Sequence, residues 1–167
     1  ERISGRDVVN SNVIWDDTSS VVSETRVPEL DLTEVHPLDD RMKVNVLDPY
    51  SAVLRLLNQI EKTGDCTSSY EIYDGRRRSR IYFEKIGKIV LEQDRPGVFT
   101  GSAMVCDVKF DPIGGHRINP KWRSNKDQNG RVKVFFARPL ESQVMPVRIE
   151  VKSWIGKIIG RLDLRQM

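Results

Sequence analysis

The segment Asp74-Gly75-Arg76-Arg77-Arg78-Ser79-Arg80 sets four guanidinium groups around one turn signal. Forked guanidiniums at a turn can hold a phosphate, a carboxylate or a lipid headgroup in bidentate geometry, which makes Arg76, Arg77 and Arg78 candidate anion-binding residues. The plainer reading is preferred: a solvated hairpin whose arginines pair with acids of neighbouring strands or of the N-terminal arm. A second constellation is Asp111-Pro112-Ile113-Gly114-Gly115-His116-Arg117. A histidine beside Gly-Gly at a strand end can act as a general base or metal ligand, and His116 and Arg117 can bind a ligand. Catalysis needs a positioned carboxylate, and Asp111, Asp74 and Asp107 are the scattered candidates. Here too the plainer reading is preferred, a turn whose histidine bonds to backbone and whose arginine pairs with an acid. His36 is isolated and carries no signal.

The two cysteines, Cys66 and Cys106, are 40 positions apart. They could be buried thiols or a disulfide, and residue types alone leave both open. A zinc pair would need closer cysteines with histidine nearby, and a redox-active pair would need Cys-x-x-Cys. The sequence contains no phosphate-binding loop, dinucleotide glycine fingerprint, Gly-x-Ser-x-Gly elbow or His-Glu-x-x-His, so no metal or cofactor is expected.

These groups must be positioned by a chain of 167 residues, a length that suits one domain. Charged residues are 31% and hydrophobic ones 38%, and no apolar run approaches the roughly 20 residues of a membrane-spanning helix. The net charge of +3 hides an asymmetry: residues 1–50 carry 5 basic and 11 acidic side chains, against 22 and 13 in residues 51–167. A basic body behind an acidic arm suits an anionic partner or self-masking by the arm. Aromatic residues are 7% and mostly alternate inward, which argues against nucleic-acid binding. The chain opens on Glu1 without an export signal and reads as processed or truncated.

Residues 1–47 read as an acidic, partly extended segment, with short strands around Val8-Val9, Val13-Ile14-Trp15 and Val21-Val22. Residues 28–45 read as a surface connection marked by Pro28 and Pro37. Asp48-Pro49 then predicts a helix over about 49–61, capped by Asp48, with an apolar stripe of Tyr50, Val53, Leu54, Leu57 and Ile60 and a stop at Gly64. Beyond it the period falls to two. The expected strands are 69–73 and 80–83 as a hairpin, 88–93, a long strand through Cys106 ended by Pro112 and Gly114-Gly115, then 131–137, 143–152 and 154–164, with a loop at 119–130. The fold class is mainly β (α+β): a curved antiparallel sheet or partial barrel with one packed helix, one face of each strand wet or lining a cavity.

The ordered series Asp48-Pro49-Tyr50-Ser51-Ala52, Cys66, Tyr73-Asp74-Gly75-Arg76-Arg77, Gly101-Ser102-Ala103-Met104-Val105-Cys106, Asp111 through Arg117 and Pro146-Val147-Arg148-Ile149 resembles the C-terminal part of the bacterial domain-of-unknown-function family 3108. The resemblance spans about residues 44–164. It implies an exported, periplasmic or envelope-associated β-rich protein with no established activity, and a chain that lacks the first strands of its sheet. In an oxidising compartment, Cys66 and Cys106 are expected to form a disulfide. The leading functional expectation is a non-enzymatic binding or structural role with a lipid, a peptidoglycan fragment or another envelope protein as partner. The alternatives are a hydrolase or transferase using His116 with Asp111 or Asp74, and a secreted effector that binds a partner protein.

Overall fold

A computed structural model describes residues 10–27, 35–116, 118, 132–141, 143–153 and 156–166. The expected strand at Val8-Val9, the first part of the connection at 28–45, Arg117 and the loop at 119–130 lie outside the described residues.

Among the described residues, eight strands and one α-helix follow in chain order: β1 (Asn10–Trp15), β2 (Val21–Val27), α1 (Pro49–Thr63), β3 (Ser68–Tyr73), β4 (Arg78–Leu91), β5 (Gly101–Gly114), β6 (Val132–Ala137), β7 (Met145–Ser153) and β8 (Gly156–Arg161). β1 and β2 form a separate two-stranded sheet, and β3 to β8 form a six-stranded antiparallel sheet in sequential order. The large sheet is curved and open, so the mainly β, α+β expectation holds.

α1 begins as its sequence dictates. Asp48 Oδ1 accepts from the backbone N–H groups of Tyr50 at 2.9 Å and Ser51 at 3.0 Å, and Pro49 occupies the first turn, where it has no partner to lose. The helix ends at Gly64, whose left-handed backbone (φ 65°) lets its N–H reach the Ile60 carbonyl. The buried face corrects the expected stripe. Ala52, Leu56 and Ile60 are buried, whereas Tyr50, Val53 and Leu54 are 83%, 47% and 60% exposed. The small Ala52 lets the helix approach Leu47 and Ile72, and Leu56 and Ile60 reach Cys66, Met104, Cys106 and Phe136.

The two strands expected at 80–83 and 88–93 are one 14-residue strand, β4, which absorbs a register shift between Lys85 and Gly87. β5 runs through Pro112 and ends at Gly114, within the Pro112 to Gly114-Gly115 stop expected for it. Pro112 is tolerated because the register slips beside it, between Arg78 and Ser79. Nor does β5 have a wet face at its centre. Positions 103 to 108 are all buried, Met104 and Cys106 towards α1 and Ala103 and Val105 into a second cluster with Leu91, Phe135, Ala137 and Val147. That second cluster is flanked by Phe99, Met145 and Leu162. The β4–β5 turn reaches across to the segment after β8: Leu164 N–H donates to the Gly97 carbonyl at 2.7 Å, and Arg161 pairs with Asp94.

The acidic arm is folded, not merely extended. Tyr73 packs edge-on against Trp15 with centroids 6.2 Å apart and donates its hydroxyl to Glu24 at 2.7 Å. Lys43 pairs with the same Glu24, and a short 3-10 turn, Asp40–Lys43, interrupts the connection. Val35 and Val46 are buried, so this connection contributes to the core as well as running over it.

Candidate functional site

The β3–β4 turn brings most of the sequence-selected residues together. Asp74 Oδ1 accepts from the backbone N–H groups of Arg76 at 3.0 Å and Arg77 at 2.7 Å, and its Oδ2 pairs with the Arg77 side chain at 2.9 Å. Gly75 takes the positive φ (83°) that the turn requires. Gly115 (φ 72°) lies directly against this turn: a Cβ there would stand 2.0 Å from the Arg76 carbonyl oxygen. Opposite, the His36 N–H donates to the His116 carbonyl and the Gly115 N–H to the His36 carbonyl, so the two histidines belong to adjacent backbone segments.

Glu71 explains the arginines, and sequence reading missed it. Arg78 donates Nε to Glu71 Oε2 at 2.9 Å, and its Nη1 reaches the Met42 carbonyl at 2.6 Å. Arg80 donates Nε to the other oxygen of Glu71 at 3.0 Å. Hydrogen bonds from Arg78 and then Arg80 hold the Glu71 carboxyl below the ordinary carboxylate range despite partial burial. The signal was available in the predicted hairpin, because an Asp74-Gly75 turn of this length places Glu71 opposite Arg80. Arg77, Arg78 and Arg80 therefore neutralise acids of the chain itself, the plainer of the two readings. Arg76 is half-buried beside the same turn.

His116 Nε2 lies 3.1 Å from both the Ser79 hydroxyl and the Arg78 carbonyl oxygen. A carbonyl only accepts, so Nε2 carries a proton in this geometry and cannot take one from Ser79. Burial lowers the pKa of the imidazole, and the Arg78 carbonyl opposes this in part. The acids expected to assist are placed elsewhere: Asp74 is engaged in its turn, and Asp111 is exposed opposite Arg80 in the β4–β5 register.

Cys66 and Cys106 are joined by a disulfide, both fully buried, with Cα atoms 6.5 Å apart. The bond ties the exit of α1 to the centre of β5. Among the described residues no cluster of three or more His, Cys, Asp or Glu side chains could hold a metal ion, and no helix is long and apolar enough to cross a membrane. Open clefts there include one of about 310 Å³ between α1 and the β1–β2 turn, one of about 370 Å³ at the end of α1 above Met104 and Phe136, and one of about 520 Å³ along Ser68, Tyr82 and Phe83.

A disulfide-bonded, curved antiparallel sheet packed by α1, with arginines paired to acids of the same chain, defines a small α+β fold. The chain belongs to the family DUF3108, a protein family of unknown function, whose model matches residues 2–164 and so extends through the N-terminal arm. No curated protein and no solved structure matches it significantly.

Proposed function

We propose that the protein is exported to the periplasm or cell envelope, or secreted, and acts there by binding or as a structural component rather than by catalysis. The observation that carries this reading is the buried Cys66–Cys106 disulfide. Such bonds persist in oxidising compartments and are rare where glutathione and thioredoxin keep thiols reduced. A lipid, a peptidoglycan fragment or another envelope protein is the partner class this location offers. The reading of a hydrolase or transferase built on His116 has less support, because the proton held for the Arg78 carbonyl leaves Nε2 unable to activate Ser79. The test is fractionation of cells producing the protein from its complete gene, with thiols trapped by a maleimide-polymer reagent in denaturant. Recovery in the periplasmic, envelope or secreted fraction without a mass shift is the expected result. A cytosolic protein with two reactive thiols overturns the proposal.

A further inference from the structure

We propose that the cleft between α1 and the β1–β2 turn is a saccharide-binding site, a reading that rests on the binding role above and gives it a ligand class. The cleft, about 310 Å³, lies at the small end of the roughly 300–1,000 Å³ range of ligand sites. Its lining includes Trp15, Asp16, Asp48, Leu54, Arg55 and Asn58. Trp15 is half-buried, fixed edge-on against Tyr73, and so is a ring held in place before any ligand arrives. Leu54 is 60% exposed on a helix whose buried face is formed by Ala52, Leu56 and Ile60, so packing of α1 does not account for it.

The polar groups decide the ligand class. Arg55 and Asn58 lie one helical turn apart, are exposed, and have no side-chain partner among the described residues. Together they offer planar donors and an amide acceptor. Asp16 uses Oδ1 to hold the turn, accepting from Thr18 and Ser20, and its Oδ2 takes no hydrogen bond among the described residues. Two carboxylates, Asp16 and Asp48, oppose a phosphate or other compact anion. Polar groups spread through so small a lining oppose an acyl chain. What fits is a neutral ligand with one apolar face and a rim of hydroxyls that both donate and accept. A pyranose ring has that shape, with its C–H face on an aromatic ring and its hydroxyls on amide, guanidinium and carboxylate groups.

The test is titration of the 15N-labelled protein with chitotetraose and, separately, maltotetraose at millimolar concentrations. The expected result is saturable shifts of the amides around 15–16 and 51–58 with at least one sugar, and affinity about tenfold weaker in Arg55→Ala and in Asn58→Ala. Both positions are on the exposed side of α1, so these variants keep the fold, which unchanged circular dichroism checks. Trp15→Phe, which keeps a ring in the hairpin, weakens binding less than Trp15→Ala. Absence of shifts with either sugar, shifts confined to other regions, or unchanged affinity in both helix variants overturns the site. That failure leaves the fractionation result intact, so loss of the sugar site and loss of the envelope assignment are told apart.

Discussion

His116 donates its Nε2 proton to the carbonyl oxygen of Arg78 across 3.1 Å, fixing the tautomer of a side chain that sequence alone offers as a base. The consequence is measurable. Burial first of all places the imidazole pKa below its ordinary value of 6.5. As pH falls, the unfolded chain therefore takes up this proton before the folded one. The contribution to stability is complete above about pH 6.5, declines as pH drops towards the folded pKa, and levels off below it. Long-range 1H–15N spectra are expected to give the Nε2–H form with a midpoint below 6.5. A midpoint above that value, or the Nδ1–H form at neutral pH, contradicts this arrangement.

Glu71→Gln is expected to destabilise the fold by about 1–3 kcal/mol, the range for losing hydrogen bonds to charged groups. Arg78 is the reason: its side chain is 16% exposed and would lose its carboxylate, whereas Arg80, at 43%, can turn to water. Because the folded carboxyl titrates below 4.5, its stabilisation is present above that pH and fades as pH falls through the folded value. Urea denaturation at pH 7 and pH 3 checks both parts. The gap between wild type and variant must narrow at the lower pH.

Gly115→Ala is expected to cost upwards of about 3 kcal/mol, since strain at a positive φ adds to a direct collision with backbone. The colliding atom is the Arg76 carbonyl oxygen, which belongs to a turn already fixed by Asp74 and cannot retreat easily. Gly64→Ala is the control. It shares the positive φ (65°) but meets nothing within 4 Å, and should cost only about 1–2 kcal/mol. Equal losses in the two variants, measured by chemical denaturation, would show that crowding at Gly115 is unimportant.

Leu54→Ala and Leu56→Ala test which side of α1 is the core. Leu56 is 1% exposed, so its truncation should cost about 2–5 kcal/mol. Leu54 is 60% exposed and its truncation should change stability by less than about 0.5 kcal/mol. Thermal denaturation orders the two, and a reversed order would return the helix to the face its apolar spacing suggested.

That face marks how far the sequence could be read. Asp48, Pro49 and Gly64 define the helix because capping is local chemistry, settled within four residues. The buried stripe is not local. Tyr50, Val53 and Leu54 extend the apolar arc beyond what the sheet covers, and small Ala52 is buried instead, against Leu47 and Ile72. The alternation read in β6 and β7 is only partly kept, since Phe135 and Phe136 are both buried and Ile149 is exposed beside buried Glu150. Nor does alternation show that both sides of β5 are covered, because Ala103 and Val105 are buried against Phe135, Ala137, Val147 and Leu162, far on in the chain. At the candidate site, the aspartate–glycine turn and the double glycine announce themselves by type. Their meeting, Gly115 against Arg76, depends on β4 and β5 staying paired, through two register shifts, as far as Arg78 opposite Gly114. Glu71 was the readable residue left unread, since a two-stranded ladder predicts its partner.

The bond from Leu164 to the Gly97 carbonyl, with Arg161 on Asp94 beside it, also has a temporal meaning. A ribosome releases the β4–β5 turn long before residues 161–164 exist, and such distant closures are the slow steps of folding. Until then Leu91 and Phe99 lack the Leu162 side of their cluster. The nascent chain therefore leaves that side of the cluster uncovered while residues 100–162 are made.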